Sequence, residues 1–341
     1  PTPRLVKNKN IVFAAYDTKE FWELVGDATS YHCIYIHFMH GIKSDFVNRL
    51  PATCKIVWCF WGGDGLELPG MLKNVYQEKS YRYYNKHFRT KWFSFSPFWT
   101  LSKLKLIAQN KRIDKENLKA IARVDYFAHY LEEDFNLIKQ ATFCKAQFIP
   151  FHYASFEDLV PAHLKKLQTN GNSILLGNSD TLTNNHFEAI DKLANLDLSE
   201  AKIYCPLSYE KGQYAKDVAQ YGSEKLKNNF IPLLEFLPKD EYEKTLGAVS
   251  VAIMNHNRSQ ALGNILALLY SGVKIYMSEQ STLFQYFKKN GMFVFSIQSE
   301  LDSGSIFIPL KEEQIRFNHS KMLELFGKEA HLKKLKNLLT I

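Results

Sequence analysis

Between residues 173 and 277 short apolar runs and helical stretches alternate in a pattern that argues for a parallel, Rossmann-like sheet. Strands are expected at 174–176, 202–205, near 233–237, at 249–254 and at 274–277. Helices are expected between them at 186–194, 214–221, 239–246 and 259–271. Two polar turns interrupt this pattern where strands end or helices begin. The first is Gly177-Asn178-Ser179 and the second runs from Asn257 to Asn264. Helix N-termini offer unpaired N–H donors and a positive dipole end, so two such turns in one α/β half suit a nucleotide's phosphates.

The first half repeats the pattern, with strands expected at 11–15, 33–38, 56–60 and 122–125. Helices are expected near 19–28 and 43–50 and, upstream of the last strand, at 118–120. Pro150 and Pro161 bracket a stretch without strong periodicity, which reads as the interdomain linker. The division is therefore 1–155, 156–320 and a basic amphipathic C-terminal helix over 321–341. At 341 residues two ordinary cores are expected, and 46% hydrophobic with 23% charged residues is a globular composition. The five cysteines are odd in number and form no CxxC pair, which fits a reducing cytosol. Pro1 stands where an initiator Met would, leaving a processed or trimmed N-terminus open.

No run is long and apolar enough to span a bilayer, while a net charge of +8 favours anionic partners. From Lys73 to Arg112 basic residues, among them Arg82 and Arg89, alternate with rings that include Trp92 and Trp99. Cations and interfacial aromatics suit an anionic membrane surface. A solvated basic face over an aromatic core and a nucleic-acid surface are the alternatives; no nucleic-acid fold signature accompanies the patch, so the expected partner is the membrane.

Several short motifs occur in a telling order: Ile36-His37, Trp58-Cys59-Phe60-Trp61-Gly62-Gly63-Asp64, Leu175-Leu176-Gly177-Asn178-Ser179 and Asn184-Asn185-His186. Pro206-Leu207-Ser208-Tyr209 and Arg258-x-Gln260-x-x-Gly263 follow. In this order the chain resembles, over about residues 11–290, the TDP-N-acetylfucosamine:lipid II N-acetylfucosaminyltransferase family, glycosyltransferase family 56. Family members usually carry one more βα unit upstream of Ile11, and 79–111 looks expanded here. The resemblance implies a GT-B fold, two Rossmann-like domains facing across a cleft. It implies transfer of an N-acetylfucosamine- or fucose-like sugar from a nucleotide diphosphate, TDP favoured, to a polyprenyl-diphosphate-linked saccharide. The expected place is the cytoplasmic face of the bacterial inner membrane, with no metal required. An epimerase of the same fold and a non-catalytic nucleotide- or glycan-binding module remain as alternatives.

On that basis Gly177, Asn178, Ser179, Ser259, Gln260, Gly263 and Asn264 are expected to hold the donor, with Arg258 balancing its charge. Each has a plainer reading: a strand-ending turn, an N-cap, or close helix–sheet packing. Tyr209, Leu237 and Tyr242 are further donor candidates, Tyr242 equally a core aromatic. The resemblance assigns Trp61, Gly62 and Gly63 to the acceptor side. Asp64, ending a buried strand at the ligand-facing edge, is the first candidate for the base that takes the acceptor proton, and His37 the second. An Asp capping the next turn and a structural His are their alternatives. If neither serves, the donor phosphate takes the proton.

Overall fold

The computed structural model describes residues 11–66, 68, 70–89, 115–160, 172–198, 200–208, 212–238, 241 and 245–341. Two parallel sheets form its frame. The first joins β1 (Ile34–His37), β2 (Ile56–Cys59), β3 (Tyr126–His129) and β4 (Gln147–Pro150) in chain order. β2 is buried along its whole length, as an inner parallel strand must be, and carries the fully buried Trp58.

The second sheet contains β5 (Ser173–Leu176), β6 (Ile203–Pro206), β7 (Phe230–Leu233), β8 (Val249–Met254), β9 (Lys274–Met277) and β10 (Phe295–Ser296). Their order is β10-β9-β8-β5-β6-β7. The chain thus runs outward one way from β5 and, after β7, returns to run outward the other way from β8. Strand order reverses between β5 and β8, which opens a crevice at their carboxyl ends. The Gly177 amide donates to the Ile253 carbonyl at 2.9 Å, tying the two strands together there.

Two segments cross from one sheet to the other. The helices Met71–Val75 and Glu78–Tyr84 lie on the second sheet's side: Tyr76, Tyr83 and Tyr84 pack into its core. Ser80 bonds Glu188 through both N and Oγ, at 2.8 and 2.7 Å, and Tyr83 donates to Asp217 at 2.6 Å. In return the helix Lys328–Leu339 covers the first sheet, where Leu338 meets Val57, Cys59, Ala128 and Ile149.

Several expected elements are corrected. Residues 11–15 form no strand; Ile11, Val12 and Phe13 are exposed and pair with nothing among the described residues. The expected strand at 122–125 is the turn after a helix at 115–121, and the strand itself follows as β3. β4 occupies the stretch just before the expected linker, its Pro150 at the last position, where no further ladder bond is needed. The expected strand near 233–237 is β7, which ends at Leu233 and tolerates Pro232 because it is an edge strand. The C-terminal helix is two helices, Glu312–Phe326 and Lys328–Leu339. They break at Gly327, where a Cβ would collide with the Leu323 carbonyl.

Candidate active site

The carboxyl ends of β2, β3 and β4 face those of β5 and β8 across a cleft of about 280 Å³. Trp61, His129, Tyr130, His152 and Tyr153 line it from the first sheet, and Asn178, Ser179, Thr181, Arg258, Ser259 and Gln260 from the second. A second cavity, of about 450 Å³, also reaches Arg258 and is lined by Gly62, Asn74, Gln140 and Asn257 among others.

Arg258 stands between the two halves. Gly62 makes room for it, with φ +84° and an absent Cβ that would lie 3.0 Å from Arg258 Nη1. Burial works against the guanidinium's charge, only partly offset by Tyr130 and Asp134. Its Nε is buried and has no hydrogen-bond partner. A cation so placed is short of acceptors, which an anionic ligand supplies.

Next to it Asp134, buried in the first turn of the helix Glu132–Ala141, gathers groups from both sheets. Its Oδ2 meets His129 Nε2 at 2.8 Å and accepts from the Ser259 hydroxyl, while Oδ1 accepts from Thr282 Oγ1 at 2.6 Å. Burial opposes ionisation of this carboxyl, but His129 and the two hydroxyls hold it below the usual carboxylate range. Sequence reasoning missed this cluster. Its signal was a strand-ending His followed by an acidic helix start, in a strand expected four residues too early.

The Gly177 turn is built differently from expectation. Its two amides are satisfied inside the protein, Gly177 by Ile253 and Asn178 by Asn184 Oδ1 at 3.2 Å. Gly177 is needed because φ is +70° and a Cβ would stand 2.8 Å from His186 Nε2. What faces the cleft are side chains. Gln260 donates to Asn178 Oδ1 at 3.1 Å and accepts from Thr183 at 2.6 Å, so the two polar turns touch. Behind them His186 Nε2 and both nitrogens of His256 are buried without partners, and burial lowers each ring to about 3.

The helix after β8 begins at Leu262, three residues later than expected. Ala261 precedes it with φ +58°, an uncommon conformation for a non-glycine residue. That kink keeps Arg258, Ser259 and Gln260 in the loop facing the cleft. Gly263 instead faces Leu159, whose carbonyl a Cβ at 263 would meet at 3.7 Å, Asn264 is exposed, and neither lines the cleft. Leu237 is partly buried beyond β7, and Tyr209 and Tyr242 lie outside the described residues.

Asp64 lies beneath the Trp61-Gly62-Gly63 turn. It is 3% exposed, and its oxygens accept from Trp58 Nε1 at 2.7 Å, Trp61 N at 3.0 Å and Met39 N at 3.2 Å. Burial raises its pKa against the lowering by these donors. With these bonds the carboxyl braces the Trp61-Gly62-Gly63 turn. His37 is exposed beside that turn, and its Nδ1 accepts from Trp61 Nε1 at 3.2 Å. Burial and then Lys43 lower its pKa, and a neutral ring whose Nδ1 accepts carries its proton on Nε2. In that tautomer Nε2 is a donor. Gly63 packs under Phe38, whose ring a Cβ would meet at 2.9 Å.

Of the basic-aromatic stretch, Arg82 is exposed and paired with Glu78, and Arg89 ends the turn Asn85–Arg89. Trp92 and Trp99 lie outside the described residues. Among the described residues no helix is long and apolar enough to cross a membrane, and no three His, Cys, Asp or Glu side chains are grouped to hold a metal.

Two parallel-sheet domains with a cleft between their strand ends make the GT-B fold. A family model described as 4-alpha-L-fucosyltransferase, glycosyl transferase group 56, matches residues 103–340, and the chain belongs to that family. Solved structures agree on the fold. The UDP-forming trehalose-phosphate synthase of Burkholderia vietnamiensis superposes with a TM-score of 0.55 at 9% identity, covering 90% of this chain and 74% of that one. Anabaena HepE, in complex with UDP and glucose, gives 0.54 at 12% identity over 94% and 81%. The sucrose-phosphate synthase of Thermosynechococcus elongatus gives 0.55 at 10% over 91% and 73%.

Proposed function

We propose that this glycosyltransferase moves a deoxy- or amino-sugar of the fucose or N-acetylfucosamine type from a nucleoside diphosphate, TDP favoured, to a polyprenyl-diphosphate-linked saccharide. It would work without a metal, at the cytoplasmic face of the bacterial inner membrane. The observation that carries the donor half is Arg258, a partly buried cation with an unpartnered Nε at the strand-order reversal. Asn178, Ser179, Thr181 and Gln260 stand beside it to bind hydroxyls and phosphate oxygens. The acceptor half rests on the family resemblance and on the surplus of positive charge.

In the transfer, the acceptor oxygen bonds to the anomeric carbon as the bond from that carbon to the phosphate oxygen breaks. Arg258 would offset the charge that grows on the leaving diphosphate. Among the described residues no carboxylate lines the cleft, and Asp64 is enclosed below it. We assign the acceptor proton to a phosphate oxygen of the departing nucleotide. A thermal-shift series with TDP-, UDP- and GDP-sugars tests the donor class, since a ligand bound only by the folded state raises its melting temperature. The TDP-sugar should give the largest rise; no rise with any of the three would refute the reading.

A further inference from the structure

Two side chains at the cleft, Trp61, which the resemblance puts on the acceptor side, and Tyr153, have no part in holding the donor. Trp61 follows β2 and Tyr153 follows β4, and their rings stack with centroids 4.6 Å apart and planes 17° from parallel. Both are about half exposed, 44% and 47%. A stacked pair left half in water at the rim of a ligand cleft is apolar surface held ready for cover.

The platform is fixed in place and has one polar corner. Trp61 spends its only donor on His37 Nδ1, which sets the ring's orientation and directs the His37 proton to Nε2. From beneath, Asp64 holds the Trp61 amide. The next residue, Gly62, lies against Arg258. The rings therefore begin one residue from the cation assigned to the donor diphosphate, on the opposite sheet.

A pyranose matches this surface. One of its faces presents only C–H groups, while its rim carries hydroxyls or an acetamide. An alkyl chain has no flat face to stack and nothing for a ring N–H to bind. A nucleobase also stacks, but the nucleotide is assigned to the second sheet. We infer that Trp61 and Tyr153 form the seat of the acceptor's terminal pyranose, with His37 Nε2–H donating to an oxygen on its rim. This deepens the proposed function and rests on its donor assignment.

Saturation-transfer NMR with methyl N-acetyl-β-D-glucosaminide on the whole protein, together with calorimetry of TDP, tests it. The proposal expects the strongest transfer at H1, H3 and H5, which share the sugar's apolar face. Trp61→Ala and Tyr153→Ala should reduce that signal at least fivefold, with TDP affinity kept within twofold. Trp61→Phe, which keeps a ring and the fold, should retain most of it. Even transfer over all protons, no transfer at all, or a pattern unchanged in Trp61→Ala would overturn the seat. A fall in TDP affinity in the alanine variants would also overturn it, because the rings would then belong to the nucleotide. Absence of TDP binding to the unaltered protein would count against the donor reading alone, since the sugar signal is read independently.

Discussion

Gly62 of the first sheet's edge lies against Arg258 of the second, so closely that a methyl group at position 62 would stand 3.0 Å from Arg258 Nη1 and 3.2 Å from the Ser259 carbonyl. The glycine also holds φ +84°, where any side chain is strained. Gly62→Ala should therefore displace the guanidinium and lower TDP affinity about tenfold, equivalent to roughly 1.4 kcal/mol, with a stability loss on the order of 1–3 kcal/mol. Calorimetry and urea unfolding read the two effects. Wild-type values for both would show that the contact is not tight.

Asp134 links His129 to Ser259 and Thr282 across the sheets. Removing the shared acceptor leaves buried hydrogen-bonding groups of His129, Ser259 and Thr282 unsatisfied, so Asp134→Ala should cost about 1–3 kcal/mol or more. Ser259→Ala removes one hydroxyl and should cost about 1–2 kcal/mol. A loss below about 1 kcal/mol for Asp134→Ala in chemical denaturation would show that the cluster does not hold the halves together.

His152, His186 and His256 are each lowered from 6.5 to about 3 by burial, with Lys334 and His331 adding to the effect at His152 and Arg258 and His186 at His256. The folded state keeps them neutral while the unfolded state protonates. Their contribution is full above pH 6.5 and is lost as pH falls from there toward 3. One unit below 6.5 the expected loss is about 1.4 kcal/mol for each ring. Unfolding free energies at pH 7.5 and 5.5 should differ accordingly, and equal values would mean that these rings are solvated.

The second half of the chain was legible because its inner strands β5, β8 and β9 are buried almost throughout. β8 and the helix His186–Ala194 stand where the apolar runs put them, and the Gly177 and Arg258 turns meet at the strand-order reversal. The first half was less so. Residues 11–15 are apolar enough for a strand but have no strand partner among the described residues, and pairing is a property of the sheet rather than of the segment. Asp64 occupies the expected strand end, yet the three donors around it come from Trp58, Trp61 and Met39, which sequence spacing alone does not bring together. Tyr76, Tyr83 and Tyr84 belong to a basic-aromatic stretch and still serve as core, because their helix crosses to the second sheet.

Asp64→Asn should keep turnover per folded molecule within about threefold of the unaltered enzyme while lowering stability by roughly 1–3 kcal/mol, since it loses the charge in its hydrogen bonds and no proton acceptor. A hundredfold fall in turnover at normal stability would return Asp64 to the chemistry.

On the proposed reading the nucleoside diphosphate is held at Arg258 beside Gln260. Titration of TDP into the unaltered protein, Arg258→Ala and Gln260→Ala by calorimetry tests it most directly. Loss of a charge-assisted hydrogen bond should weaken Arg258→Ala at least tenfold, about 1.4 kcal/mol or more, and Gln260→Ala by a smaller factor. Equal affinity in all three proteins would contradict the assignment.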